Sequence, residues 1–205
     1  MEKYHKQDVA PIEKENERDE NYKSDNPQID SERTKNNYRF TPYFGKTYTE
    51  FINGRIKELG LSPRKDAVVM NSFVLGSDKT FFDGVAKIEQ YNFFSDCYQF
   101  FAERCGEENV IAAVVHNDET TPHMHLNLMP VTKDGRLCSK QLFDKPQLQQ
   151  LQTDFYETVG ELAAENYTGQ INAYLKKCGT KISGHYLAEE HVWEHAANYG
   201  SYERV

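Results

Sequence analysis

The chain has 205 residues, with 32 acidic against 24 basic side chains and a formal net charge of −8. That length suits one sizeable core with at most a small appendage. No apolar run approaches the roughly 18 residues of a membrane span, and "MEKYHKQDVAPIEKENERDENYK" holds no apolar stretch of the kind a secretory leader needs, so neither is expected. Cys97, Cys105, Cys138 and Cys178 are widely spaced without a CxxC pair and read as free thiols of a reducing cytoplasm. The acidic balance argues only weakly against a nucleic-acid partner, because binding follows where Lys and Arg cluster and not their sum.

In chain order, residues 1–40 are polar, and "KSDNPQIDSERTKNNYRF" reads as loop and turn around Pro27. "YTEFINGRIKELGL" spaces Phe51, Ile52, Ile56 and Leu59 for a helix that stops at Gly60. "AVVMNSFVLG" is β-branched and apolar, which predicts a buried strand. A long aromatic helix follows over "TFFDGVAKIEQYNFFSDCYQFFAERCG", closing at Gly106. "VIAAVVHND" and "MHLNLMPV" are two further strands, and the short "DETTP" between them predicts an antiparallel hairpin. "KPQLQQLQTDFYETVGELAAENY" carries Leu148, Leu151, Phe155, Val159 and Leu162 along one side of a last helix. The order predicts an α+β fold, a central antiparallel sheet with helices packed on it.

The hairpin holds the chemistry. "HNDETTPHMHLNLMP" contains three of the seven histidines, with Asp118 and Glu119 between the first and second. Side chains alternate along a strand, so His123 and His125 share a face about 7 Å apart, and His116 falls on that face if its strand pairs alongside. Three neutral imidazoles with open positions make a divalent-metal site of catalytic type, and Asp118 or Glu119 is placed to fix a ligand's tautomer. Met124 and Leu126 then point into the opposite, buried layer. Imidazole ligation suits Mn, Zn, Co, Ni or Fe better than Mg, and affinity order does not decide the metal in a cell. A single histidine is usually a satisfied surface or core residue, and a pair at i, i+2 can be coincidence. The third at His116, with acids in the turn, favours a metal. His5, His185, His191 and His195 read as surface residues.

This stretch resembles the metal motif of the plasmid mobilisation relaxases, the Mob/Pre family of MOBV type. The family pattern H-x-D-E-x-T-P-H-x-H is matched at every position from His116 to His125. "NERDENYKSDNPQIDSERTKNNY", "RKDAVVMNSFVLGSDKTFF" and "GRLCSKQLFDKPQLQQLQTDF" resemble other family segments, so that the likeness covers residues 1–175. The resemblance implies a relaxase domain over residues 1–180 and a tail, or the start of a truncated C-terminal region, over 181–205. It implies an HUH-endonuclease-like fold with a five-stranded sheet, and an enzyme that nicks one strand at an origin of transfer and keeps the 5′ end covalently. His116, His123 and His125 would hold the metal, most simply Mn²⁺, with Mg²⁺, Zn²⁺, Co²⁺ and Ni²⁺ as alternatives. Glu119 would orient a ligand or move a proton, and Arg18 would clamp a phosphate. The partner would be single-stranded or hairpin origin DNA in the cytoplasm, with a coupling protein and accessory mobilisation proteins. A dimer is expected only where a C-terminal region is present.

One position departs from the pattern. The family's first motif reads His-Asn-x-Arg with the histidine as nucleophile, whereas here Glu15 stands in that place. Glu15 could attack as a carboxylate, a neighbour such as His5, Tyr4, Tyr22 or Tyr38 could replace it, or the copy could be unable to nick. Arg33, Lys35, Asn37, Tyr38, Arg64, Lys65, Ser139 and Lys140 are the expected DNA contacts, with Tyr38 as a base-stacking platform. Two other functions compete. One is a nicking-deficient DNA-binding module on the same scaffold. The other is a small-molecule metalloenzyme, which requires a deep apolar pocket at the histidines.

Overall fold

The computed structural model describes residues 1–160 apart from 42–44, 78 and 84. Five strands form one antiparallel sheet in the order β1 (Glu2–His5), β3 (Val68–Gly76), β5 (His123–Leu128), β4 (Val110–His116), β2 (Tyr38–Arg39). The central strands are the β-branched, apolar ones. All seven residues of β4 are buried, as a strand covered on both faces demands.

Helices cover both faces. On one face Phe73, Leu75, Val115, Met124, Leu126 and Leu128 pack against α4 (Lys87–Cys105), through Phe93, Phe94, Cys97 and Phe101, and against Leu151 of α6 (Lys145–Phe155). On the other, Val69, Met70, Ile111, Val114 and Met129 pack against Val9 of α1 (Val9–Asn16) and against Tyr48 and Ile52 of α2 (Tyr48–Glu58). Thr47 starts α2 with a reciprocal cap, its hydroxyl accepting from the Glu50 amide at 3.1 Å while the Glu50 carboxylate accepts from the Thr47 amide at 2.8 Å. Gly106 ends α4 at φ +86°.

The structure bears out the α+β fold, the hairpin, and Met124 and Leu126 as residues of the buried layer. It corrects three boundaries. The polar residues 1–40 carry β1 and α1, ahead of the stretch read as loop and turn, and the whole of β2 within that stretch. β1 is a polar edge strand and α1 points only Val9 and Asn16 fully inward, so neither shows an apolar period. The long aromatic helix is two, α3 (Lys79–Phe82) and α4. The last helix is regular to Phe155 and widens into a π turn over Tyr156–Gly160. Leu162, Cys178, His185, His191, His195 and the 181–205 segment lie outside the described residues.

Candidate metal centre

The register of the hairpin brings the imidazoles together. His116 pairs directly with His123, and His125 pairs with Val114 on one side and Val74 on the other. Paired residues share a face, so all three rings stand on the α1 side of the sheet. Their centroids lie 5.4, 4.6 and 4.9 Å apart, and one nitrogen of each lies within 4.8 Å of the other two.

The tautomers follow from the partners. His116 Nε2 donates to the Asn16 carbonyl at 2.8 Å, since a carbonyl can only accept, and this leaves Nδ1 with its lone pair. His123 Nδ1 donates to the Thr121 carbonyl at 2.9 Å, leaving Nε2 free. That Nε2 lies 3.1 Å from His125 Nε2. Nitrogens held at about 2.1 Å from one ion stand roughly 3 Å apart, so this spacing fits a shared cation. Backbone carbonyls, and not Asp118 or Glu119, therefore orient two of the three rings. Sequence carries no side-chain signal for such partners.

Burial keeps the rings neutral. His116 is 0 % exposed, and desolvation, reinforced by the Arg18 and His123 charges against the pull of the Asn16 carbonyl, pushes its pKa down to about 4. His125 falls to about 3, through burial first and the neighbouring imidazoles second. Both keep their lone pairs available far into the acid range.

Glu119 faces the cluster. Its Oε1 lies 3.7 Å from His116 Nδ1 and 3.8 Å from His123 Nε2, and its Oε2 accepts from Asn26 Nδ2 at 3.0 Å. Asp118 does something else. It is 0 % exposed and accepts from Arg18 Nε (2.9 Å) and Nη2 (3.0 Å), Thr34 Oγ1 (2.9 Å) and Asn37 Nδ2 (2.8 Å). Burial alone would raise its pKa, but these donors hold it well below the usual carboxylate range. Asp118 is a fastening for the 18–37 segment, and one of its oxygens also lies within 4.8 Å of ligand atoms of His116 and Glu119, a second group that could hold an ion.

This geometry gives several of the expected DNA contacts partners inside the protein. Arg18, at φ +52°, is not a free clamp: Nη2 reaches Glu119 at 2.7 Å and His116 Nδ1 at 3.0 Å, and Nη1 donates to the Glu15 carbonyl at 3.0 Å. Asn37 is spent on Asp118 and on the Asn117 amide. Arg33 donates to the Asn117 carbonyl. Tyr38 pairs with Val115 and so points to the opposite face, where its ring meets Phe40 and Tyr91 at 5.6 Å each; it is no stacking platform beside the histidines. Ser139 is buried. Arg64 and Lys65 precede β3, and Ser139 and Lys140, in α5 (Ser139–Leu142), follow β5. All four therefore flank the end of the sheet away from the imidazoles. Lys35 is exposed in the turn that holds Asp118. Glu15 is half-buried on α1, one residue before the Asn16 that holds His116, and accepts from Ser24 Oγ at 3.4 Å. Tyr4 stands on β1, its hydroxyl bonded to Glu2, with a pKa raised by burial and that bond.

An antiparallel sheet with three convergent imidazoles at one end defines an α+β domain with a candidate metal site. The chain belongs to the Mob_Pre family, described as plasmid recombination enzymes, whose model matches residues 1–181. It is 37 % identical over 173 residues to a plasmid recombination enzyme of Bacillus sp, covering 83 % of this chain and 41 % of that protein. It is 38 % identical over 162 residues to a type 2 plasmid recombination enzyme of Staphylococcus aureus, covering 76 % and 37 %. The chain thus spans about two fifths of the length of these relatives. Among solved structures it is similar to the Mn-bound MobM relaxase domain (MOBV) in complex with pMV158 oriT DNA. One crystal form, at pH 6.8, matches at 30 % identity and TM-score 0.75, over 88 % of this chain and 97 % of that one. A form at pH 4.6 matches at 33 % identity and TM-score 0.72, over 78 % and 84 %.

Proposed function

We propose that this chain is the relaxase domain of a mobilisation protein, nicking and rejoining one strand of an origin of transfer in a metal-dependent reaction. The observation that carries the reading is the convergence of His116, His123 and His125, with one ring nitrogen of each within 4.8 Å of the other two, at an end of the sheet where Val74 is 65 % exposed. Among the described residues no helix is long and apolar enough to cross a membrane.

His116, His123 and His125 would hold the ion, Mn²⁺ as in the related structures. When bound, it acts as a Lewis acid on the non-bridging oxygens of the scissile phosphate. The residues supply the rest. Burial keeps His116 and His125 neutral, and the two carbonyls aim His116 and His123. Glu119 stands beside them to hold a proton or orient a water. Arg18 holds Glu119 and His116 in place. Glu15 is the attacking group by position: a carboxylate oxygen forms a bond to phosphorus, the 3′ oxygen leaves and takes up a proton, and the 5′ phosphate stays on the enzyme as a mixed anhydride. The returning 3′ hydroxyl reverses the step. The substrate is single-stranded or hairpin origin DNA in the cytoplasm. Arg33 and Lys35, exposed in the turn that holds Asp118, would contact it, and Arg64, Lys65 and Lys140 would meet an arm extending to the other end of the sheet. A coupling protein, accessory mobilisation proteins and, with a C-terminal region, a second copy complete the partners.

Glu15 in place of the family's histidine favours a second reading, a nicking-deficient DNA-binding module. Incubation with a labelled origin oligonucleotide and Mn²⁺ decides. A covalent, protease-sensitive adduct is expected. Tight binding without an adduct selects the second reading, and no binding overturns both.

A further inference from the structure

His116 and His123 each donate their outer nitrogen to a backbone carbonyl, but His125 has no such protein acceptor among the described residues. Without an ion, its Nε2 is the donor in the 3.1 Å contact, because His123 Nε2 has given its proton position to Nδ1. To offer Nε2 to a cation, His125 must move its proton to Nδ1, and that proton needs an acceptor.

Two residues along the same strand, on the same face, is Asn127. It is 0 % exposed, and neither its Oδ1 nor its Nδ2 has a partner. A buried carboxamide with no partner at either atom is rare and calls for an explanation. The space beside it is consistent with one. Its register neighbours are Ser72 on β3 and Ala112 on β4, both small. Residues at i and i+2 on a strand stand about 7 Å apart, a separation that one bridging water can span. Asn16, whose carbonyl holds His116, also buries an unpartnered Nδ2.

We infer that Asn127 is a positioning residue for His125, its Oδ1 accepting the Nδ1 proton through one ordered water and thereby fixing the tautomer that frees Nε2. This rests on the three imidazoles being a metal site. In chemical terms Asn127 does for His125 what the carbonyls of Asn16 and Thr121 do for the other two rings. The shared element is an outer acceptor for each ligand nitrogen.

The test is Mn²⁺ affinity by titration calorimetry on the full chain, with metal-free stability by circular dichroism alongside. Asn127→Leu removes the acceptor and fills the site with apolar volume. It is expected to weaken Mn²⁺ about 10- to 100-fold while metal-free stability holds or rises, a combination that a merely structural asparagine does not produce. Asn127→Asp keeps an acceptor and is expected to bind Mn²⁺ at least as well as wild type. An unchanged affinity in Asn127→Leu overturns the inference while leaving the metal site intact. A tenfold loss in Asn127→Asp overturns it also, and this holds should the leucine variant not fold. A wild-type chain that binds no Mn²⁺ overturns the metal reading itself, and the inference with it.

Discussion

Asp118→Asn tests whether the second acid of the motif is structural. The carboxylate gathers four side-chain hydrogen bonds, two from Arg18 and one each from Thr34 and Asn37, and its backbone carbonyl accepts from the Asp30 amide at 2.8 Å. Asparagine keeps the volume but removes the charge and turns one acceptor into a donor facing donors. Breaking a buried ion pair by removing one partner costs about 3–5 kcal/mol. Arg18 keeps Glu119 at 2.7 Å, so the lower end applies, about 3 kcal/mol. At roughly 2–4 °C per kcal/mol for a chain of this size, Tm should fall by about 6–12 °C. Urea unfolding followed by far-UV circular dichroism, metal-free at neutral pH, measures it. Hydrogen exchange at Asn36 and Asn37, whose amides bond within the 33–37 turn, should speed up in parallel. A loss under about 1 kcal/mol would refute the fastening role, since a single ordinary hydrogen bond accounts for that much.

Stability should also depend on pH through the imidazoles. His116 and His125 bind protons in the folded chain only near pH 4 and 3, whereas in the unfolded chain they do so near 6.5. Between those limits the unfolded state holds more protons, so metal-free stability falls as pH drops from about 6.5 toward 4, by up to about 1.4 kcal/mol per unit for each ring. Urea midpoints that do not move between pH 7 and 5 would contradict this. Gly76 pairs with His123, and a Cβ there would meet the Pro122 carbonyl at 3.3 Å and His123 Cβ at 3.4 Å. Gly76→Ala should displace that ring and weaken Mn²⁺ about tenfold with the fold retained, as calorimetry would show. Glu15→Gln should abolish the covalent adduct while DNA binding persists in a mobility-shift assay. An undiminished adduct would assign the attack to another residue.

The sequence made the site's centre readable because strand alternation is rigid. Once "VIAAVVH" and "HMHLNL" form a hairpin, the faces of His116, His123 and His125 follow. What surrounds them was not readable, for two reasons. Backbone carbonyls at Asn16 and Thr121 leave no trace in side-chain identity. Asn37, Arg33 and Arg18 are expected at DNA by their place in the family's pattern, and that pattern does not show that they also bond to Asp118 and Asn117, about 80–100 positions away in the chain. Tyr38 was misassigned for want of a register, since a two-residue strand shows no alternation to say which face its ring takes. β1 and α1 escaped because an edge strand and a short helix bury too little to show a period.

β1 runs antiparallel to β3 with Glu2 opposite Ser72, so its direction of growth is toward Val74, the exposed residue beside His125. Any peptide fused ahead of Met1 would be templated by that free edge within two residues and would come to lie next to the imidazoles. A polyhistidine leader placed there would compete for the ion, and titrations on such a protein would report on the leader. Affinity handles for this domain belong elsewhere, or must be cleaved before any metal is added.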